Sequence, residues 1–157
     1  MSKSKLFVQV PDKSALALIA DHLKPYIHRT PVLTSRLLNE ITGCSLFFKC
    51  DNFQKTGSFK IRGAMNAVMN LSGEQKKKGV VTHSSGNFAQ ALAYAAKRIG
   101  ISAKIVMPEN VISSKRDAVL GYGAEVIYSG NTPSDRENKC EEIRKSSGAE
   151  FIHPSND

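Results

Sequence analysis

Apolar residues recur along the chain at two alternating periods. Leu16, Ile19, Ala20 and Leu23 fall at helical spacing within residues 14–24, and Pro25 stops the run. Arg29-Thr30-Pro31-Val32 reads as an extended turn, because a residue before proline is driven out of the helical region. Ser35 is placed to cap a short helix through Leu37, Leu38 and Ile41, which Gly43 ends. Residues 46–50 read as a strand, and Ser58 as the cap of a helix carrying Ile61, Ala64, Met65, Val68 and Leu71. The first ten residues show no period and are expected as a loose arm.

From Gly79 onward the pattern is regular. Strands are predicted over 80–83, 103–107, 125–128 and 151–153, with helices over 88–98, from 113 or 114 to near 121, and over 134–145. Strands alternating with helices at this rhythm predict an α/β fold, an open parallel sheet with right-handed crossovers and helices on both faces. The first fifty residues supply helices and one strand, too few for a second sheet. The organisation is therefore one complete α/β unit plus pieces of another, with Asn156-Asp157 expected as a turn leading onward.

Composition narrows the picture. A chain of 157 residues, 41% hydrophobic and 23% charged, is long enough for one globular domain with its own core. The net charge is +8, but the basic residues are scattered. Their one run, Lys76-Lys77-Lys78, adjoins Gly79 and reads as a solvated loop, so nucleic acid is not the expected partner. A positive balance also suits small anions. Cys44, Cys50 and Cys140 form no paired framework, and no leader or membrane-length apolar stretch is present, so a cytoplasmic protein without a membrane partner is expected. The four histidines have no metal-ligand spacing with the cysteines, and no metal site is predicted.

Two segments can carry chemistry. Lys60 stands at the opening of a helix, where the dipole and partial burial both favour a neutral amine able to attack an aldehyde and form a Schiff base. Taken alone, most helical lysines are solvated cations. Phe59 beside it suits a core position or the face of a flat cofactor. Thr82-His83-Ser84-Ser85-Gly86-Asn87 spans a strand end and a helix start, where open parallel sheets bind ligands. Free amides there attract a carboxylate, Ser84 and Ser85 add hydroxyls, Gly86 permits close approach, and Asn87 can meet a heteroaromatic hydroxyl. The plainer reading of that stretch is a capping serine pair with a turn glycine. His83 and Ser84 point to opposite faces of a strand and make a poor hydrolase pair. No Gly-x-Ser-x-Gly elbow or Walker loop is present.

Taken together, residues 46–64 and 80–95 closely resemble the serine and threonine dehydratase family, including its serine racemase branch. Arg29-Thr30-Pro31-Val32-Leu33-Thr34-Ser35 and Tyr122-Gly123-Ala124 extend the likeness. The resemblance implies a tryptophan-synthase-β-like fold, with 1–74 as the N-terminal part of the large cofactor domain, 75–149 as the small α/β domain and 150–157 as the return. It implies pyridoxal 5'-phosphate as cofactor, with Lys60 as its attachment point and base on one face of the substrate and Ser85 as acid/base on the other. Phe59 and Asn87 match cofactor positions, and Ser84, Ser85 and Asn87 match substrate positions. Ser35, Lys55, Thr56, Gln90 and Tyr122 match positions around an activating nucleotide.

The implied reactions are racemisation of serine and α,β-elimination of serine or threonine to a 2-oxo acid and ammonia. In full-length members the resemblance also implies Mg2+ and ATP as activators and a homodimer. Phe88 stands where the family usually has histidine, and Arg36 where it has a small residue. The likeness covers the family's N-terminal half. The glycine-rich phosphate loop, the group facing the pyridine nitrogen and the acidic metal ligands have no match here. A short form of low activity is therefore expected, with a non-catalytic chain that binds or regulates a full-length subunit as the alternative.

Overall fold

A computed structural model describes residues 11–154. The arm expected over the first ten residues and the turn expected at Asn156-Asp157 lie outside the described residues. Helix α1 (Lys13–Leu23) starts where the Asp12 carboxylate accepts the Ala15 amide. Strand β1 (Val32–Leu33) follows, then α2 (Arg36–Thr42), capped by Ser35 and ended by Gly43 in the left-handed region, as its sequence predicts. The strand expected over 46–50 contracts to β2 (Phe48–Lys49), which pairs antiparallel with β1. Two single 3-10 turns, Asp51–Phe53 and Lys55–Gly57, lead into α3 (Lys60–Met69). Ser58 does not cap that helix in the usual way. The helix opens at Lys60 with Phe59 as its cap residue, and the Ser58 hydroxyl accepts the Lys60 amide at 3.4 Å.

The lysine run corrects the sequence reading. Lys76, Lys77 and Lys78 form the last turn of α4 (Gly73–Lys78), not a loop. Ser72 and Gln75 make a reciprocal capping box at its start, and cations at the other end complement the helix dipole.

The remaining strands are β3 (Val80–His83), β4 (Ala103–Pro108), β5 (Glu125–Ser129) and β6 (Glu150–Phe151). They form one parallel sheet in the order β5-β4-β3-β6. Connecting them are α5 (Asn87–Ile99), α6 (Ser113–Gly121) and α7 (Pro133–Ser147). Alternation along the strands divides the core between two faces. Val80, Ile105 and Met107 pack with α3, α5 and α6, whereas Val81 and Val106 pack with Cys140 and Ile143 of α7. Alanines at 89, 91, 93, 95 and 96 keep the buried side of α5 thin, so α3 packs closely on it. Leu92 and Ile105, both fully buried, contribute roughly 2 kcal/mol each.

One topological fact places the site. From β3 the chain moves through β4 to β5, and α7 then carries it back to the other side of β3, where β6 pairs. The direction of winding reverses between β3 and β6. In an open parallel sheet the crevice beyond the carboxyl ends of such strands is the natural ligand site.

Candidate functional site

Lys60 lies at that reversal. A crevice of about 150 Å³ opens there, walled by Phe59, Phe88, Ala67, Ile152 and Pro154, with the Lys60 side chain among them. Lys60 Nζ donates to the Pro154 carbonyl at 2.9 Å and lies 5.4 Å from the Phe59 ring centre and 5.9 Å from that of Phe88. The walls are largely apolar, with His153 and the Pro154 carbonyl as the polar groups beside the amine. Phe88 is only 7% exposed, on the first turn of α5, whereas Phe59 is 60% exposed.

The loop that precedes Phe88 carries the other predicted residues. Ser84 anchors it: the Ser84 amide donates to the Val106 carbonyl at 3.1 Å, and its hydroxyl accepts the Gly86 amide at 3.3 Å. Asn87 is the exposed first residue of α5. No side chain caps α5, and its cap residue is Gly86, so the first-turn amides are available to an anion. Ser85 is exposed and lines a separate hollow with Pro108, Asn110, Val111 and Ile112. Lys60, Phe59 and Phe88 thus share one crevice, while Ser84, Ser85 and Asn87 sit on the adjoining loop.

A second group gathers beside α5. Lys55 Nζ lies 5.8 Å from the Tyr94 ring centre, and Tyr94 meets Tyr122 edge to face at 5.4 Å. Gln90 is one turn before Tyr94 on the same helix. Thr56 takes a left-handed φ of 62°, rare for a β-branched residue, and its buried hydroxyl has no hydrogen-bond partner. Ser35 belongs to α2, where its hydroxyl is taken up by the cap. Behind this region Arg62 and Asp51 form two hydrogen bonds of 3.0 Å, and Arg62 holds the Asp51 carboxyl below its ordinary value despite partial burial. That pair fixes the Asp51–Phe53 turn against α3.

Gly63, Ala67, Tyr94 and the segment from Ile152 to Pro154 are absent from the sequence expectations of the site. Gly63 and Ala67 line the crevice one and two turns after Lys60, so the run of small residues on its helix face was a usable signal. Tyr94 was detectable as the residue one turn after Gln90. The segment from Ile152 to Pro154 gave no local signal, because it reaches Lys60 only through β6 pairing. His83 faces α7, stacked on Phe151 at 5.7 Å, away from the Lys60 crevice as strand alternation requires. Among the described residues no group of three or more His, Cys, Asp or Glu could hold a metal, and no helix is long and apolar enough to cross a membrane.

Comparison with known proteins agrees with this geometry. Residues 23–157 match the family model described as pyridoxal-phosphate dependent enzyme. Serine racemase of Arabidopsis thaliana is 56% identical over 137 residues, which are 87% of this chain and 41% of the relative. β-Hydroxyaspartate dehydratase of Paracoccus denitrificans is 45% identical over 94% of this chain and 47% of its own length. The structure of maize serine racemase superposes with a TM-score of 0.87 at 46% identity, covering 91% of this chain and 44% of that one. The chain spans less than half the length of these relatives. With the family model covering all but its first residues, and with a lysine held in the crevice where its parallel sheet reverses, this chain belongs to the pyridoxal-phosphate dependent enzymes.

Proposed function

We propose that the chain carries the lysine side of a pyridoxal 5'-phosphate site acting on a small amino acid of the serine or threonine type. The reactions are racemisation of serine, α,β-elimination to a 2-oxo acid and ammonia, or both. The observation that carries this reading is the Lys60 amine in an apolar crevice at the sheet reversal. The residues present suit the cofactor: an amine, two aromatic walls and a helix start with free amides. When bound, pyridoxal phosphate supplies an electron sink for a carbanion at the substrate α-carbon.

In this reading Lys60 would hold the cofactor and move the α-proton on one face, and Ser85 would move it on the other. Phe59 and Asn87 would hold the cofactor's ring. Ser84, Ser85 and the first amides of α5 hold the substrate carboxylate. Racemisation needs both faces, whereas elimination can proceed with one base and a protonated leaving group. Phe88 presents a ring without a donor, so it shapes and dries the crevice without binding a carboxylate. Lys55, Thr56, Gln90 and Tyr122, with Ser35, form the nucleotide side, supported by the Lys55–Tyr94–Tyr122 cluster and the unpartnered Thr56 hydroxyl. ATP with Mg2+ as activator, and a homodimer, complete the proposal. Residues 1–74 serve as part of a large cofactor domain, 75–149 as the small domain and 150–157 as the return between them.

The test is to incubate the chain with pyridoxal phosphate, reduce with borohydride and map the label by peptide mass spectrometry. Label concentrated on Lys60, and absent there in Lys60→Ala, is the expected result. Label spread evenly over the surface lysines overturns the assignment.

The exposed apolar residues between Val32 and Phe53 favour a second reading, a non-catalytic chain that pairs with a full-length subunit. Native mass spectrometry of a mixture with a full-length homologue distinguishes it, and no hetero-oligomer at about micromolar concentration counts against it.

A further inference from the structure

The sheet reversal opens a hollow on its other face as well. On the α7 side, beyond the ends of β3 and β6, a cavity of about 460 Å³ lies between His83, Phe151 and His153 on one wall and Glu137, Asn138 and Glu141 on the other. It is larger than the Lys60 crevice and none of its chemistry enters the proposed reaction. Its position has a topological cause: the pairing of β3 with β6 ends at Val81 and Phe151, where the winding reverses.

The rings of that wall pack on one another. His83 stacks on Phe151 at 5.7 Å, and His153 meets both edge to face, at 6.3 Å from His83 and 5.9 Å from Phe151. Opposite them, Glu137 and Glu141 stand four residues apart on one face of α7. The two carboxylates are not equivalent. Glu141 is already bound by Arg144 at 2.8 Å and approached by Lys145 at 3.6 Å. Glu137 is in no salt bridge among the described residues, and its electrostatic partner is His83. The neighbouring Arg136 opposes charge on His83, but its guanidinium donates to the Asn131 carbonyl.

Charge and size then select the ligand. The chain has 22 lysines and arginines, yet none lines this cavity. Glu137, a lining carboxylate in no salt bridge among the described residues, gives the cavity an acidic wall poorly suited to phosphate or carboxylate. A bare metal ion is excluded among the described residues, because no three donors are placed to hold one. A polyatomic cation with an apolar body for the rings and an ammonium for the carboxylate matches this lining. We infer that this cavity binds a small organic ammonium ion, with the ammonium on Glu137 and Asn138 and the body against Phe151 and His83.

The site stands independently of the proposed cofactor chemistry, but the two are physically joined. His153 lines both hollows, and the adjoining Pro154 carbonyl holds Lys60. An occupant on the α7 side therefore presses on the segment that positions the Lys60 amine.

The test is an NMR titration of the full chain with 2-phenylethylammonium chloride, following the ring resonances of His83 and His153. Neutral 2-phenylethanol is titrated in parallel, with sodium chloride as ionic-strength control. Saturable shifts at about millimolar ammonium, absent with the alcohol and weakened about tenfold in Glu137→Gln, support the site. Glu137→Asp, which keeps the charge, should retain most of the binding. Glu137 is exposed, so both variants are expected to fold, and their amide spectra check it. Equal shifts with the alcohol, unchanged affinity in Glu137→Gln, or no saturation with the ammonium overturns the inference.

Discussion

At the scale of the residue, neighbours decide what each polar group can do. Burial holds the His83 imidazole below its ordinary value of 6.5, outweighing the opposite pull of Glu137. The unfolded chain therefore takes up that proton first as pH falls. The stability contributed by neutral His83 is complete above 6.5 and is lost as pH drops through the folded value. Thermal unfolding followed by circular dichroism should show Tm falling between about pH 7 and pH 5, with a shallower fall in His83→Phe. Equal slopes would assign the acid sensitivity to other groups. Cys140 shows the same physics in a thiol. Burial alone pushes it up to about 12, so it acts as a small apolar residue of the α7 face and not as a nucleophile. Lys60 was legible in the sequence because its neighbours form a recognisable string. Its partner carbonyl at Pro154 was not, since the two are 94 residues apart.

At the scale of the element, caps marked some helices and misled on others. Ser35 and Gly43 mark both ends of α2, and Gly148 marks the end of α7. The short α4 was hidden behind its lysines, although Ser72 and Gln75 already spelled a capping box. Strand β2 shrank to two residues because β1, its one partner among the described residues, is equally short. The junction of α4 and β3 gives a graded test. Ser72→Ala removes one cap and should cost about 1 kcal/mol. Gly79 has φ +76°, and an added Cβ would meet the Ser102 carbonyl at 2.7 Å as well as its hydroxyl. Gly79→Ala combines strain with a clash against backbone and should cost roughly 2–4 kcal/mol. Urea unfolding of the two variants checks the order, and a smaller loss for Gly79→Ala would show that the β3 entry relaxes easily.

At the scale of the whole molecule, the two halves are covered unequally. The four-stranded sheet is packed on both faces, whereas Ile41 is 70% and Phe47 72% exposed, and Leu33, Leu37, Phe48 and Phe53 are exposed with them. No described residue covers this face. Apolar surface of that kind drives association, so the chain should self-associate as its concentration rises. The double variant Ile41→Lys with Phe47→Lys should remain closer to a monomer in sedimentation velocity, and identical profiles would place the contact elsewhere. The sequence by itself determined the alternation of strands and helices from Gly79 onward, the two-faced parallel sheet and the family, but not β1 or α4. Periodicity, caps and motif strings act over a few residues and survive without a fold. Tertiary structure alone decided that β6 returns beside β3, that Phe88 turns inward beside Lys60, and that His153 separates two hollows of different chemistry. Each of these joins residues far apart in the chain. The packing of α3 on α5 sets Phe88 beside Lys60, and the return of the chain through α7 to β6 makes the other two.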